Sequence, residues 1–382
     1  MGYIRDCIIS VFKDIVSPSQ DVTAASPEET LSHMLSIKST FPPKVNSTRQ
    51  QQKLREIGKG QCGTIYALPT GSHMVAKIPN SANKVPQLLQ DYQIHARILQ
   101  AMAETPTALR TGIDIPSLHW WIGPSHNDFW HRFLLPIHPC QEFAVVSDRV
   151  FSVPFRVREA LVDVLCPPAI RKNKQQFLAE PENKNCLIRI YLGRRGNSKA
   201  IENLENFKLQ NFPLHANEME GLQLDTSSFA EVMAQTLAIL HWKAGVDGND
   251  IEFILGGLSL PSQRPTLDEI EEGDKWSLAE HFQTNYICRP VKMWLIDFDQ
   301  CSRFEDNDAG LKQIVDAFFW NDPFYPIPNS ANDEDQKLWS VFSKRYLEVS
   351  CMLTKSETPR RFISKIEEQQ TEKGRVGGLF DM

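Results

Sequence analysis

Residues 54–79 constrain the fold of this chain more than any other stretch, because closely spaced glycines there precede a lysine on an apolar strand. The stretch reads LREIGKGQCGTIYALPTGSHMVAKIP. Gly58, Gly60 and Gly63 lie at one end of a predicted hairpin, and the following strand carries Lys77. Glycines let the backbone approach an anion with no Cβ in the way, and their amides can form a polarised nest around phosphates. The stretch therefore predicts a phosphate site built on a hairpin and a third strand.

A helix is predicted directly after the lysine strand, from Pro86 to about Ala103, because apolar residues recur there at helical spacing. Asp91 lies on this helix and could meet Lys77. A lysine aimed at phosphates is commonly held by a carboxylate from such a helix. We therefore expect the three glycines, Lys77 and Asp91 to bind a nucleotide.

Composition narrows the class of protein. With 382 residues, 41% of them hydrophobic and 23% charged, the chain has the composition of a globular protein with two domains or two lobes. The formal net charge of -6 argues against a nucleic-acid-binding protein, which would normally show a basic stripe. The eight cysteines form no CxxC pair and none lies beside a suitable histidine pair, so no zinc site is predicted.

The cysteine pattern and the hydropathy of the sequence also indicate the cellular compartment of the protein. Scattered cysteines without a signal-peptide pattern are typical of reduced thiols. No window approaches the roughly 18 apolar residues that a membrane-spanning helix needs. We therefore expect a protein of the cytoplasm or nucleus that is neither secreted nor membrane-spanning.

Two acidic segments follow the strongest predicted helix, Ser227–Trp242. In the first, Asp247 and Glu252 are separated by the spacing between the catalytic Asp and the metal-binding Asn of a kinase catalytic loop. In the second, MWLIDFD, an apolar strand ends at Asp297, which is placed like an aspartate that holds Mg²⁺ on phosphates. Aspartates also close turns and cap helices, and on that alternative Asp247 and Asp250 are structural.

The order of these features predicts an α+β, two-lobed fold like that of the protein kinases, with a small antiparallel sheet and helix in the N-lobe and a larger, mostly helical C-lobe. The predicted divisions are an N-terminal helical extension and linker (1–50), an N-lobe-like region with insertions (51–193), a helical C-lobe carrying the catalytic-loop-like and DFG-like segments (194–355), and a polar C-terminal tail (356–382).

The chain resembles the protein-kinase-like superfamily, nearer to its aminoglycoside and choline phosphotransferase branch than to typical protein kinases. It also resembles a fungal family of unknown function that is sometimes labelled "zinc finger protein". Residues 211–214, 241–247, 250–256, 295–300 and 321–326 carry that second resemblance.

The kinase resemblance implies a role for each candidate residue. Lys77 would bind the α- and β-phosphates of ATP while paired with Asp91. Asp247 would orient or deprotonate the acceptor hydroxyl, and Glu252 and Asp297 would hold Mg²⁺.

The chain departs from the kinase pattern where the acceptor would lie. Val246 precedes Asp247 in place of the arginine of His-Arg-Asp, Glu252 replaces the metal-binding Asn, and Asp299 stands where DFG has glycine. His241 is interpreted as a buried, hydrogen-bonded histidine rather than a base. Two functions stay open: a phosphotransferase that uses ATP and Mg²⁺, or a catalytically inactive pseudokinase acting as a binding or regulatory module.

Overall fold

The computed structural model of this protein describes residues 26–28, 31, 52–68, 73–126, 129–130, 133–134, 142–196, 207–258, 267–275 and 291–377. These residues form an α+β fold, as predicted, in which most strand pairs are antiparallel. Most of the predicted N-terminal extension (1–50) and the end of the predicted tail (378–382) lie outside the described residues.

A five-stranded sheet carries the glycine hairpin. The first seven strands are β1 (Gln52–Lys53), β2 (Arg55–Lys59), β3 (Gly63–Ala67), β4 (Met74–Pro79), β5 (Leu118–Ile122), β6 (Phe133–Leu134) and β7 (Ala144–Asp148). Strands β2-β3-β4-β7-β5 are neighbours in that order and all pair antiparallel, while β1 and β6 form a short parallel pair. The hairpin and the lysine strand are therefore formed as predicted.

One long helix lies between β4 and β5 of this sheet in the chain. Helix α1 (Val85–Glu104) begins beside Pro86, whose fixed φ suits the first turn of a helix. Its buried residues include Leu88, Asp91 and Ile98, which lie on one face at helical spacing. The predicted helix is confirmed, and it places the carboxylate of Asp91 inside the protein.

A second sheet contains the strands that end in the acidic segments. Its members are β8 (Ile188–Tyr191), β9 (Phe212–His215), β10 (Glu252–Gly257) and β11 (Val291–Ile296), in the order β11-β10-β8-β9, with only β8 and β9 parallel. Asp114 joins β11 to the chain that leads into the first sheet. Its amide donates to the carbonyl of Met293 at 2.9 Å, and its carbonyl accepts from the amide of Leu295 at 3.0 Å.

The remaining described helices are α2 (Phe155–Leu165), α3 (Pro168–Lys172), α4 (Lys174–Ala179), α5 (Ala216–Gly221), α6 (Thr226–Ile239), α7 (Leu267–Glu272), α8 (Asp308–Trp320), α9 (Asp333–Leu353) and α10 (Thr358–Gly377). Helix α6 is buried from Phe229 almost continuously to Ile239 and packs along α9. A π-turn (Leu240–Ala244) extends it to Gly245, whose φ of +65° ends the helix in the left-handed conformation.

Strand β8, which lies within the predicted N-lobe-like region (51–193), pairs with β10 of the second sheet. Within the segment 172–185, residues Lys174–Ala179 form α4, since Phe177 and Leu178 are buried. The predicted solvated tail is instead α10 over much of its length, because Phe362 and Ile366 supply a buried stripe within a polar sequence.

Among the described helices, none has the length and apolar character that crossing a bilayer requires.

Candidate functional site

The three glycines of the hairpin play different parts. The amide of Gly60 donates to the carbonyl of Gly63 at 2.9 Å, so this amide is used inside the turn. A Cβ on Gly63 would lie 2.6 Å from the carbonyl oxygen of Ile78, so β3 can approach β4 only with a glycine there. At Gly58 and Gly60 the atom nearest to an added Cβ lies 3.8 Å away, which is an ordinary van der Waals distance. Phosphate binding stays a prediction for all three glycines, and at Gly63 the packing of β3 on β4 is a second reason for glycine.

Asn80 directly follows β4, the strand that carries Lys77, and its side chain hydrogen-bonds to the turn between β2 and β3. Its side-chain amide donates to the carbonyls of Gly60 at 2.7 Å and Gln61 at 3.2 Å, and its Oδ1 accepts from the Thr64 hydroxyl at 2.8 Å. Side chains of this kind commonly satisfy turn backbones. The glycine spacing alone does not point to Asn80.

The side chain of Lys77 is where three segments of the chain meet. Its Nζ lies 2.7 Å from Oδ2 of Asp91 on α1, 3.1 Å from Oδ2 of Asp299 and 3.5 Å from Oδ1 of Asp297. The contact expected between Lys77 and Asp91 is therefore present. Burial by itself lowers the pKa of Lys77, but the three carboxylates outweigh it and hold that pKa well above its ordinary value. Lys77 is therefore charged at neutral pH.

Asp297 directly follows β11 and is the most accessible of the three acids. Its side chain is 36% exposed, and its φ of +65° is uncommon for a residue other than glycine. Burial raises the pKa of Asp297 to about 7; the nearby carboxylates act in the same direction and Lys77 opposes them. The charge of Lys77 therefore does not cancel the effect of burial on the pKa of Asp297.

Asp299 adds a carboxylate that the kinase pattern does not supply. Its Oδ1 accepts a hydrogen bond from the side-chain amide of Gln87 on α1 at 3.1 Å, while its Oδ2 faces Lys77. In the DFG motif of kinases the position of Asp299 is a glycine, which has no side chain that could bind a ligand. The alternation of Asp297 and Asp299 after an apolar strand is the sequence signal that could have placed both acids at one site.

Asp247 lies in the acidic loop after α6 and is only 5% exposed. Its Oδ1 accepts from the backbone amides of Asn249 at 3.1 Å and Ser302 at 2.9 Å, and its Oδ2 accepts from the side-chain amide of Gln313 at 2.7 Å. A carboxylate with these donors closes its own turn and holds a second segment against it. These contacts agree with the alternative interpretation of Asp247 as a structural aspartate.

Glu252 begins β10 and faces Arg189 on β8. Nε of Arg189 donates to Oε2 of Glu252 at 3.1 Å, and Nη2 donates to Oε1, so both carboxylate oxygens are engaged. Burial raises the pKa of Glu252, and the charge of Arg189 opposes that shift. A metal ion at Glu252 would compete with this ion pair, and nothing in the acidic-loop spacing points to Arg189.

Asp250, between these two acids, has a left-handed backbone with a φ of +60°. Its Oδ1 accepts from Nε1 of Trp320 at 3.3 Å and its Oδ2 accepts from the side-chain amide of Gln300. Its backbone amide donates to Oδ1 of Asn321 at 2.6 Å. The acidic loop is thus tied both to the segment after Asp299 and to the end of α8.

An open pocket of about 540 Å³ lies beside this loop. It is lined by Asp247, Asn249, Gln300, Ser302, Ala309, Lys312, Gln313, Asp316, Ala317 and Trp320. Trp320 is 62% exposed. Gln300 directly follows Asp299, so the pocket wall continues along the chain into the cluster around Lys77. The pocket combines one exposed aromatic ring with side-chain amides and charges of both signs.

His241 is structural, as predicted. It is 2% exposed, its Nδ1 is paired with the hydroxyl of Tyr346 at 2.8 Å, and its Nε2 lies 3.3 Å from the carbonyl of Asp247. Burial lowers the pKa of His241 to about 3, with the backbone contact opposing the shift. The histidine is therefore neutral at physiological pH and connects the acidic loop to α9.

The structure thus brings together some of the predicted site residues and separates others. Lys77, Asp91 and Asp297 are in direct contact. Glu252 is engaged by Arg189, and Asp247 is bonded to its own loop and to neighbouring segments. The site also contains Asp299, Asp250, Arg189, Gln300 and Trp320, none of which is among the predicted site residues.

A family model described as "Zinc finger protein", from a family of unknown function, matches residues 293–358. No curated protein matches the chain. The matched range contains β11, the two acids at Lys77, α8 and α9, but only two cysteines, Cys301 and Cys351, and no histidine. In the described part of the chain, no group of three His, Cys, Asp or Glu side chains is arranged to hold a metal ion. The matched range alone therefore lacks the four ligands of a structural zinc site.

Proposed function

We propose that this protein binds ATP together with Mg²⁺ in a two-lobed, protein-kinase-like fold and transfers the γ-phosphoryl group to a small-molecule or protein acceptor. The observation that carries the proposal is the position of Lys77, between Asp91 of α1 and the two acids that follow β11. Kinases hold a strand lysine with a helix carboxylate so that its ammonium faces the α- and β-phosphates. The acids beyond Lys77 supply the metal-binding end of the same arrangement.

The order of elements supports a kinase-like division of the chain. A glycine hairpin, the lysine strand β4, helix α1 and two further strands make up one sheet with its helix. A long buried helix, an acidic loop and the antiparallel pair of β10 and β11 follow later in the chain. We place the division between the proposed lobes after β7, since β8 belongs to the second sheet.

The donor set at Lys77 is suited to a hard divalent cation. Mg²⁺ is usually bound by one or two carboxylates together with substrate phosphates, so it does not need three protein ligands. Asp297 and Asp299 would hold it, since both carboxylates reach the Lys77 ammonium from the segment that follows β11. When bound, the ion would offset the charge of the phosphates.

A second candidate function is that of a catalytically inactive module. Two observations favour it: the carboxylate of Asp247 is bonded to three donors, and both oxygens of Glu252 are engaged by Arg189. On this alternative, nucleotide binding at Lys77 persists without phosphoryl transfer. The two candidates therefore differ in turnover and not in the nucleotide site.

The first experiment tests nucleotide binding. Melting temperatures are measured with and without ATP and Mg²⁺ for the wild type, for Lys77→Met and for Lys344→Met, whose lysine is 78% exposed. A ligand at 100 times its Kd stabilises the folded state by about 2.7 kcal/mol, so the wild type and Lys344→Met should shift upward. Lys77→Met should not shift relative to its own ligand-free value. A wild type without a shift at millimolar nucleotide contradicts the proposal.

A second experiment separates the two candidates. Release of ³²P-labelled phosphate from γ-labelled ATP is followed in the wild type and in Asp297→Asn. An active enzyme releases label in the wild type and loses most of it in the variant. An inactive module binds nucleotide without release in either protein.

A further inference from the structure

Resting on the proposed phosphotransferase function, we propose that Asp250, and not Asp247, takes the proton of the acceptor hydroxyl, and that the acceptor is a polar small molecule bound in the pocket beside Trp320. The two aspartates are three residues apart in one loop, but their carboxylates have different surroundings.

Asp247 holds the acidic loop to the segment after Asp299. Its carboxylate is buried and accepts two backbone hydrogen bonds and one from Gln313. One of those amides belongs to Ser302, whose carbonyl also accepts from the Asp247 amide at 2.9 Å. Asp247 lines the pocket, but a substrate hydroxyl at its carboxylate would compete with three donors, two of which are backbone amides.

Asp250 has the surroundings that Asp247 lacks. Its backbone adopts the left-handed conformation, which asparagine and aspartate tolerate better than other side chains and which is frequent at functional sites. Its carboxylate accepts from two side chains, Trp320 and Gln300, and from no backbone amide among the described contacts. Side-chain partners can turn away when a substrate arrives, whereas an amide fixed in a turn cannot. The residue is half-buried, which leaves part of its surface accessible.

The pocket locates the acceptor. Asp250 lies behind the lining residues: both partners of its carboxylate, Trp320 and Gln300, line the pocket, and Gln300 directly follows Asp299 at the Lys77 cluster. The acceptor hydroxyl would therefore lie between the pocket and the phosphate end of the site. A volume of about 540 Å³ is within the range of small-molecule sites. An exposed indole together with amides of Asn249 and Gln313 favours a polar, hydroxyl-bearing molecule over an apolar one.

The acceptor oxygen forms a bond to the γ-phosphorus, and the bond from that phosphorus to the bridging oxygen breaks, so that ADP leaves with the electron pair. The proton of the acceptor hydroxyl passes to a carboxylate oxygen of Asp250 and from there to solvent. When water is the acceptor, the products are ADP, phosphate and a proton.

Slow hydrolysis of ATP provides a test that does not require the natural acceptor. Asp250→Asn keeps the shape and the left-handed backbone but removes the proton acceptor. Rates of phosphate release and the dissociation constant for Mg²⁺-ATP are measured for the wild type, for Asp250→Asn, for Asp247→Asn and for Asp163→Asn, whose aspartate pairs with Lys174 on α4. Trp320→Phe keeps a ring but removes the donor to Asp250.

We expect Asp250→Asn to reduce the rate of phosphate release by about 100-fold or more, the contribution typical of a positioned base, with the dissociation constant unchanged. Trp320→Phe should reduce the rate about 10-fold with unchanged nucleotide affinity, in keeping with its role as a positioning residue. Asp163→Asn should match the wild type in both measurements. Asp247→Asn should lower the melting temperature, whereas Asp250→Asn should not.

Two outcomes would overturn the inference and leave the proposed phosphotransferase function intact. In the first, Asp250→Asn keeps its rate within about threefold while Asp247→Asn, still folded, loses it. In the second, the wild type releases phosphate and both Trp320→Phe and Asp250→Asn behave as the wild type. A wild type that binds no Mg²⁺-ATP, or that binds it and releases no phosphate, would instead contradict the proposed function.

Discussion

The Nζ atom of Lys77 on β4 lies 2.7 Å from the carboxylate of Asp91 on α1, with only 17% and 10% of the two side chains exposed. This ion pair is the link between the first sheet and the helix behind it. Asp297 and Asp299 then bring the end of β11 to the same ammonium group. The pair is therefore both the proposed phosphate-facing element and a structural connection between distant parts of the chain.

Replacing Lys77 with Met should destabilise the ligand-free protein by about 3–5 kcal/mol, because Asp91 and Asp299 would be left as buried, unpaired charges. The measurement is urea unfolding at neutral pH, with Lys344→Met as the exposed control. The double variant Lys77→Met, Asp91→Asn should recover part of the loss, since one unpaired charge is removed with its partner. Asp91→Asn alone completes the cycle, and single losses that simply add in the double variant would show that the two residues are not coupled.

Replacing Asp247 with Ala should cost about 2–4 kcal/mol, because two buried backbone amides and the Gln313 side chain would lose their acceptor. Asp247→Asn should cost less, since one amide oxygen remains to accept. Unfolding by urea measures both, and Asp163→Ala on the surface of α2 should differ from the wild type by less than about 0.5 kcal/mol. Similar stabilities for all three variants would contradict a structural role for Asp247.

The order of elements along the chain predicts part of the site well. A glycine hairpin, a lysine strand and an amphipathic helix are local patterns, and the side of the helix that faces the core fixes Asp91 toward Lys77. The helix end at Gly245 is likewise local, because its left-handed backbone favours glycine. These are the elements for which propensity, periodicity and burial all agree.

Other parts of the site depend on partners that are distant in sequence. Glu252 has the spacing of a metal ligand within its loop, but Arg189 reaches it from β8, a neighbouring strand 63 residues earlier in the chain. Spacing within a loop carries no information about a cross-strand partner. Asp299 could not be assigned to the site for a different reason. The DFG motif has glycine at this position, so comparison with that motif gives the Asp299 carboxylate no role.

Helix α10 shows how a polar composition can conceal a packed element. Phe362 is fully buried. The centroid of its ring lies 5.0 Å from the ring centroid of Tyr346 and 5.1 Å from that of His241. Phe362→Ala should therefore destabilise the protein by about 3–5 kcal/mol. Arg360→Ala, at an exposed position of the same helix, should have little effect. Equal melting temperatures for the two variants would mean that α10 does not contribute to the core.

The glycine hairpin offers a matched pair of substitutions. Gly63→Ala should cost about 1–3 kcal/mol, because the new methyl group would meet the Ile78 carbonyl at 2.6 Å and backbone cannot easily shift. Gly60→Ala should leave stability nearly unchanged, since the nearest atom to its Cβ lies 3.8 Å away. If the turn contacts phosphates, Gly60→Ala should still weaken Mg²⁺-ATP binding. The two variants are compared by urea unfolding and by titration calorimetry, and a stable Gly63→Ala would contradict the packing assigned to that glycine.

As the pH falls, the buried histidines should lower the free energy of unfolding, whereas Asp297 should raise it. Burial lowers the pKa of His95 to about 4 and that of His241 to about 3, so the unfolded chain takes up protons first as the pH falls below about 6.5. Each histidine therefore removes up to about 1.4 kcal/mol of stability per pH unit until its folded-state pKa is reached. Asp297, with its pKa raised to about 7, takes up its proton first in the folded state and opposes that loss between pH 7 and about 4.

Asp297→Asn should therefore be more stable than the wild type at pH 7.5 and lose stability more steeply as the pH falls toward 4.5, because the opposing contribution has been removed. The free energy of unfolding in urea is measured at half-unit steps over this range in the ligand-free protein. Asp163→Asn, on the outer part of α2, should give a curve parallel to that of the wild type. A parallel curve for Asp297→Asn would show instead that Asp297 ionises near its ordinary pKa and that burial does not raise the pKa of this carboxyl group.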